Sequence, residues 1–232
     1  MNFEYTEATI TSELPLNEAI RDFFLLTTGG TIKAAELSLE QGAAFNIGGG
    51  WHHAFPDHAE GFCYLNDVAI AIKKLQQEKK AKKFAVIDGD LHQGNGTAFI
   101  FQRDPNVFTF SVHQENLYPV KQKSSLDVGL PDYAGDDLYV KAFQEHIPVI
   151  YEQHQPDLIA YVAGADPYKE DQLGNLQVTM EGLKKRDEIV IGEARKRSIP
   201  FFVVLAGGYS RNTEDVVNIH FQTLAVVAGV RP

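Results

Sequence analysis

The sequence has little cysteine, few basic residues and no long apolar run. Its single cysteine, Cys63, excludes a disulfide within the chain. No apolar run reaches the roughly 20 residues that a membrane-spanning helix requires, and no secretory leader pattern opens the chain. Lys and Arg number 21 against 31 Asp and Glu, a formal charge of −10. These deficits predict a cytoplasmic protein that has no membrane partner and does not bind nucleic acid directly.

The residues that are present indicate an α/β protein. Hydrophobic residues make up 44% of the 232 residues, which is enough for one sizeable core, so we predict a single domain over residues 1–232. Short apolar runs alternate with longer helical patterns, as in parallel sheets whose crossover helices cover both faces. The predicted strands, all expected to be fully buried, are Ala43–Ile47, Phe84–Asp88, Val107–Ser111, Leu158–Val162 and Phe201–Leu205. The predicted helices are 66–80, with Asn66 as N-cap, 136–154, 179–198 and 213–229.

Polar groups and glycines follow each predicted strand. In AVIDGDLHQGNG (85–96), the apolar run stops at Asp88, and Asp90 and His92 come directly after it. Open α/β sheets place their ligands at the carboxyl ends of strands. Five loops of this kind on one rim therefore indicate a binding site more than a set of turns.

Three of these polar residues suit a metal ion. Asp90, His92 and Asp166 offer two carboxylates and one imidazole, a set that leaves zinc an open position for water. Asp90 and His92 are two residues apart, so an extended backbone aims both side chains the same way. Taken alone, each Asp would more often cap a helix, and His92 would more often be an ordinary surface or core histidine. Their coincidence with a His-His pair favours the metal.

His52 and His53 follow three glycines. Adjacent imidazoles near carboxylates need hydrogen-bonding partners that orient them, and Asp88 and Asn95 are the candidates. Exposed loop histidines are the alternative. Tyr209 follows two glycines and either points its phenol into the same cavity or packs in the core. Three further aromatic residues belong either to the core or to the wall of a narrow apolar channel: Trp51, Phe62 and Tyr118.

Six motifs, in order, resemble those of the histone deacetylase family. They run from about Gly29 to Tyr209 and beyond: GGGWHHAFPDHAEGFCYLNDVAIA, VIDGDLHQGNGTAFIF, TFSVHQENLYP, DVGLPDYAGDD, GADPY and LAGGYS. The HQGNG form is most similar to the class IV branch and its bacterial relatives, where Gln and Asn replace a His and an Asp. The resemblance implies a three-layer, arginase-like fold with a mainly parallel sheet. It also implies zinc-dependent hydrolysis of acyl-lysine in proteins or of acetylated small amines.

The resemblance also implies roles for individual residues. The positions that match the metal ligands, for zinc with ferrous iron as the alternative, are Asp90, His92 and Asp166. The positions that match catalytic groups are His52, His53, Asp88, Asn95 and the oxyanion donor Tyr209. Those that match the substrate tunnel are Gly61 and Phe62, with Tyr118 on the opposite wall across a loop of different length. A potassium ion is implied at backbone or side-chain oxygens of Asp88, Asp90, His92, Ser111 and Val112.

Two departures from the family pattern qualify this reading. Asn95 stabilises an imidazolium less than Asp would, so we expect a lowered pKa for His53. Residues 1–28 show no convincing match, and they are fewer than usual before the glycine pair. Either the chain is a partial form, or another subunit supplies the missing tunnel wall, which would make the protein a homo-oligomer.

Three other functions stay open. One is an acetylpolyamine amidohydrolase, and another is a catalytically weak homologue that binds acyl groups. The third is a nucleotide-binding α/β domain. GDLHQGNG does not have the G-x-G-x-x-G spacing and lacks the Lys-Ser/Thr pair of a phosphate-binding loop, which argues against nucleotide binding.

Overall fold

A computed structural model describes residues 10–230 of the chain. After a 3₁₀ turn at Ile10–Ser12, this range contains six helices and six strands, which alternate except that β4 follows β3 directly. The helices are α1 (Glu18–Gln41), α2 (Asp67–Gln77), α3 (Asn95–Phe101), α4 (Asp136–His154), α5 (Met180–Lys196) and α6 (Thr213–Ala228). The strands are β1 (Ala43–Asn46), β2 (Phe84–Asp88), β3 (Val107–Gln114), β4 (Leu126–Leu130), β5 (Leu158–Val162) and β6 (Phe201–Val204).

The six strands form one sheet in the order β1-β6-β5-β2-β3-β4, and every pairing in it is parallel. Successive side chains of a strand point to opposite faces. Val86 accordingly packs with residues of α1, α2 and α3 on one face, and Ile87 packs with residues of α4, α5 and α6 on the other. The predicted three-layer α/β fold with a parallel sheet is confirmed.

Local sequence determines where the predicted helices begin. The side chain of Asn66 accepts a hydrogen bond from the backbone N–H of Ala69 at 3.0 Å, which makes Asn66 the predicted N-cap of α2. Helix α4 begins and ends at the predicted residues. Within residues 10–230, none of the helices has the length and apolar character needed to cross a membrane.

Several expectations about the elements were wrong or incomplete. Strand β1 is only partly buried, because it lies at the edge of the sheet and pairs with β6 alone. Strand β3 continues past Ser111 to Gln114. We did not predict β4, whose residues at the opposite edge are mostly exposed or half-buried and include Asp127 and Gly129. We also did not predict α1, which carries Gly29 and Gly30 in its interior, nor α3.

Parallel pairing positions the site. Asp88 of β2 lies opposite Val162 of β5 on one side and Ser111 of β3 on the other. The loops that follow these strands therefore leave the sheet side by side at one edge. Strands β1 and β6 deliver two further loops to the same edge through their pairing of Asn46 with Val204.

Candidate metal centre and active site

A buried cluster of two carboxylates and one imidazole lies at the carboxyl edge of the sheet. Asp90 and His92 follow β2, and Asp166 follows β5. The Nδ1 atom of His92 lies 3.3 Å from Asp90 Oδ1 and 3.2 Å from Asp166 Oδ2. One ligand atom from each residue lies within 4.8 Å of the others. This group could hold a metal ion.

The backbone fixes both carboxylates of this cluster. The N–H of Gly207 donates to Asp90 Oδ2 at 3.0 Å, and the N–H of Leu91 donates to Asp166 Oδ1 at 2.9 Å. A Cβ atom at Gly164 would lie 2.6 Å from Asp90 Oδ2, and one at Gly207 would collide with Asp166. These glycines therefore let the backbone approach the carboxylates more closely than any other residue could.

The charges of the cluster suit a cation. Burial and the charge of Asp90 raise the pKa of Asp166 to about 8. The two carboxylates outweigh the effect of burial on His92 and raise its pKa to about 10. Asp166 and His92 thus retain protons beside Asp90, whose pKa is held below its ordinary value, because buried negative charge needs nearby positive charge. A divalent cation would supply that charge in place of the protons, so the donor set fits a metal.

The tandem histidines lie beside this cluster, each with the partner considered from the sequence. His52 Nδ1 lies 2.7 Å from Asp88 Oδ2, and His53 Nδ1 lies 2.7 Å from Asn95 Oδ1. The two Nε2 atoms are 3.1 Å apart, and both side chains are buried. The alternative of exposed loop histidines is therefore wrong.

The two histidines differ in charge. Burial lowers the pKa of His52, but the charges of Asp88 and Asp90 outweigh it and raise this pKa to about 9. Burial, together with the charge of His52, holds the pKa of His53 well below its ordinary value. The lowered pKa of His53 agrees in direction with the expectation from the sequence. Its main cause is burial, however, and the hydrogen bond to Asn95 raises this pKa because it favours the charged form. At neutral pH the pair consists of one imidazolium and one free base.

A cavity of about 210 Å³ opens above the cluster and the histidines. Phe62 and Tyr209 line it, with ring centroids 6.0 Å apart. Tyr118 lines it too, with its ring centroid 5.4 Å from that of His53. Trp51 borders the cavity and also packs on Phe24 of α1, with ring centroids 4.8 Å apart. The aromatic residues therefore form a channel wall, and Gly61 lies in the same lining.

The hydroxyl of Tyr209 stays protonated in this cavity. Burial and the charge of Asp166 raise the pKa of the phenol well above its ordinary range, so its O–H can donate to a ligand. The backbone N–H of Tyr209 donates to Asp171 Oδ2 at 2.6 Å, which holds the loop after β6. Sequence reasoning did not predict this contact of Asp171.

Sequence reasoning also missed two acidic residues around the histidines. Asp67 is buried and accepts from the backbone N–H groups of Gly50 and Trp51, at 3.0 and 2.8 Å. It thereby fixes the loop that carries the histidines. Glu60 Oε1 accepts from Asn95 Nδ2 at 2.7 Å. The roles of both residues depend on tertiary contacts. The one signal in the sequence was the position of Asp67 in the first turn of α2, where an acidic residue favours the start of a helix.

The residues expected to bind potassium lie on adjoining elements. Asp88 and Ser111 are register partners on β2 and β3, and Val112 follows Ser111. The Oγ atom of Ser111 lies 2.9 Å from His113 Nδ1. Potassium, like ferrous iron, stays a prediction.

Comparison with known proteins decides the family. Residues 2–224 match the family described as Histone deacetylase domain. The chain belongs to the histone deacetylase family. The match begins at residue 2 and so includes residues 2–28, where no motif was recognised. The three-layer fold agrees with the architecture expected of histone deacetylases.

Individual relatives come from several kingdoms. The chain is 43% identical to an uncharacterized protein of Picosynechococcus sp., over 93% of this chain and 74% of that protein. It is 32% identical to Histone deacetylase 2 of Arabidopsis thaliana, over 87% of this chain and 53% of that protein. It is 33% identical to a probable deacetylase of Archaeoglobus fulgidus, over 82% of this chain and 56% of that protein. The chain spans about half the length of the latter two relatives.

Proposed function

We propose that the protein is a zinc-dependent deacylase that hydrolyses acyl-lysine amides. One observation carries the proposal. A buried Asp-His-Asp cluster faces an aromatic-lined cavity beside one charged and one neutral histidine. Membership of the histone deacetylase family supports the same reaction.

The metal ligands and the two histidines have different roles in the proposed hydrolysis. Zinc held by Asp90, His92 and Asp166 would polarise the amide carbonyl and acidify a water molecule. His53, neutral at pH 7, accepts a proton from the attacking water and later delivers one to the leaving amine. His52, already charged and bonded to Asp88, strengthens the positive field around the reacting carbonyl.

Tyr209 acts on the carbonyl oxygen of the substrate. Its protonated phenol donates a hydrogen bond as negative charge develops on that oxygen. Donors of this kind contribute about 3 to 4 kcal/mol to the transition state in comparable hydrolases. Because the phenol is held in the cavity wall, the donor is in place before the charge appears.

The cavity limits the substrate. A volume of about 210 Å³ between Phe62, Tyr118 and Tyr209 suits an acyl group on a slender aliphatic stem rather than a folded peptide segment. The net charge of −10 favours approach of a cationic protein or amine. Acyl-lysine in a basic segment meets both conditions.

The test measures metal content and substrate range together. We expect about one zinc ion per chain, and hydrolysis of acetyl-lysine peptides or of lysine carrying a longer acyl group. Acetylated polyamines in the same panel test the alternative amine substrate. A protease or nucleotide hydrolase activity that exceeds deacylation would contradict the proposal. Bound zinc with peptide binding and no turnover would favour the acyl-binding homologue instead.

A further inference from the structure

The side chain of Asn95 lies between a catalytic histidine and a carboxylate. Its Oδ1 atom lies 2.7 Å from His53 Nδ1, and its Nδ2 donates to Glu60 Oε1 at 2.7 Å. The hydroxyl of Tyr118 donates to the same Oε1 at 3.1 Å. The Glu60 side chain is only 19% exposed. One carboxylate thus contacts both the partner of the base and the wall of the cavity.

The backbone of Glu60 is also held. Its N–H donates to the carbonyl of Cys63 at 3.1 Å, and the N–H of Cys63 donates back to the carbonyl of Glu60 at 2.9 Å. The residues between them are Gly61 and Phe62, which line the cavity. The backbone of Glu60 is therefore fixed at the start of the loop that lines the cavity, and its Oε1 atom accepts hydrogen bonds from Asn95 and Tyr118.

The order of hydrogen-bond donors from Glu60 through Asn95 to His53 determines which ring nitrogen of His53 carries the proton. An ionised carboxylate can only accept hydrogen bonds, so Glu60 requires the NH₂ group of Asn95 to face it. The amide oxygen of Asn95 must then face His53. An amide oxygen only accepts, so His53 must carry its proton on Nδ1. The lone pair of the neutral imidazole is thereby left on Nε2, which lies 3.1 Å from Nε2 of His52.

We propose that Glu60 is a positioning residue of the reaction. It acts through Asn95 to fix the tautomer of His53 that has a basic Nε2. It also places a negative charge behind the uncharged Asn95, which contacts the base. This inference rests on the deacylase activity proposed above. Because Tyr118 shares the carboxylate, the same group aligns the base with the channel wall.

Substitutions of Glu60 and Asn95, first singly and then together, test the inference. Glu60→Gln keeps the shape but presents an amide that can both donate and accept, so Asn95 can turn over. We expect kcat to fall about 10- to 100-fold, with KM within about threefold, as for other partners that orient an active-site group. Asn95→Asp should lose a similar factor, because two carboxylates in contact force one to take up a proton.

The double variant Glu60→Gln/Asn95→Asp restores the order of donors. Asp at position 95 then accepts from His53, and the new amide at position 60 donates to that Asp. We expect kcat to return to within about threefold of wild type, a residual difference of roughly 0.7 kcal/mol. Glu145→Gln is the matched control, because Glu145 is an exposed residue of α4 outside the site. It removes the same charge and should leave kcat unchanged.

A second measurement does not need turnover. Nitrogen NMR of the zinc-loaded protein, with the His53 signal identified by comparison with His53→Gln, reports which ring nitrogen carries the proton. We expect Nδ1–H in the wild type, a shift towards Nε2–H in Glu60→Gln, and Nδ1–H again in the double variant. If the wild type hydrolyses no acyl-amine, the deacylase proposal fails, and these spectra still decide the role of Glu60.

The inference is overturned by any of three results. The first is a wild-type His53 protonated on Nε2. The second is a Glu60→Gln protein that keeps Nδ1–H or, where the wild type is active, keeps kcat within about threefold. The third is a double variant no better than the product of the single losses.

Discussion

Two clusters of ionisable side chains that are buried within residues 10–230 differ in how their charges are balanced, one around Arg186 and the other around Asp90. In the first, Arg186 Nε donates to Asp187 Oδ1 at 2.9 Å. Asp187 also accepts from the hydroxyls of Tyr161 and Thr223, at 2.5 and 2.6 Å. One cation meets one anion, and hydroxyl groups satisfy the remaining lone pairs of the carboxylate. The charges of this cluster therefore balance within the chain.

The second cluster has an excess of negative charge. Asp90 and Asp166 face each other with His92 between them, and both His92 and Asp166 hold protons more tightly than usual. The two clusters also share backbone, because Arg186 Nη1 donates to the carbonyls of Gly89 and Gly164, at 3.1 and 2.7 Å. A buried cluster that is neutral maintains the fold, whereas one that lacks a counterion indicates where a cation binds.

The largest effect is expected from a substitution that breaks the second cluster. Asp166→Asn removes one ligand and one negative charge, so the protein should lose its zinc and its deacylase activity. The metal-free protein should be no less stable than the metal-free wild type, because Asn resembles the protonated carboxyl group that Asp166, with a pKa of about 8, already has at pH 7. Metal analysis and thermal unfolding check both points. Wild-type zinc content in both Asp166→Asn and His92→Ala would refute the ligand assignment.

Breaking the first cluster should lower the stability of the fold. Arg186→Met leaves Asp187 buried without its cation, which should lower the free energy of unfolding by about 3 to 5 kcal/mol. Urea unfolding measures the change. Adding Asp187→Asn removes the unpaired charge and should recover part of the loss. An unchanged unfolding free energy in Arg186→Met would show that the cluster is not a structural ion pair.

Substitutions that leave both clusters intact should change the rate only. Tyr209→Phe removes the donor to the substrate oxygen, and we expect kcat to fall about 10²- to 10³-fold with zinc content and unfolding unchanged. His53→Ala should also lower kcat strongly, because it removes the base without removing a ligand. A measurable wild-type rate that both variants retain within about threefold would contradict these roles.

The smallest effect is a dependence of stability on pH. The pKa of His52, about 9, lies above its ordinary 6.5, so its contribution is full below about pH 6.5 and is lost as pH rises through 9. The raised pKa of Asp166, about 8, acts in the same direction. The metal-free protein should therefore lose several degrees of Tm between pH 6.5 and 9. Zinc displaces the protons on its ligands Asp166 and His92, so its stabilisation should be larger at pH 8 than at pH 6. A Tm that rises over this range would contradict the charge assignments.

The sequence predicted the parts of the molecule that depend on local pattern. Strands β2 and β5 begin and end as predicted because both are buried apolar runs between clear breaks. Their polar successors, Asp90 and Asp166, come together because parallel neighbours end at one edge. Edge strand β4 was missed because it has one exposed face and no continuous apolar run.

Contacts made only by the folded chain were not predictable in this way. Arg186 lies in KKRDE, which indicates a solvated helix face, yet its side chain is fully buried. Glu60 has no motif of its own, and its role depends on how the loop before Gly61 meets Asn95. Likewise, the low pKa of His53 comes mainly from burial, a quantity that the order of residues does not contain.

The pairing of β1 with β6 has a consequence for synthesis on the ribosome. The partners Ala43 and Phe201 are separated by about 160 residues, which take roughly 8 to 30 s to translate. The loop that carries the histidines is also tied to late residues, because the N–H of Ala206 donates to the carbonyl of Gly49 at 3.1 Å. A nascent chain therefore holds strand β1 without its sheet partner for most of its synthesis. The loop that carries the histidines gains this last contact only after residue 206 has left the exit tunnel.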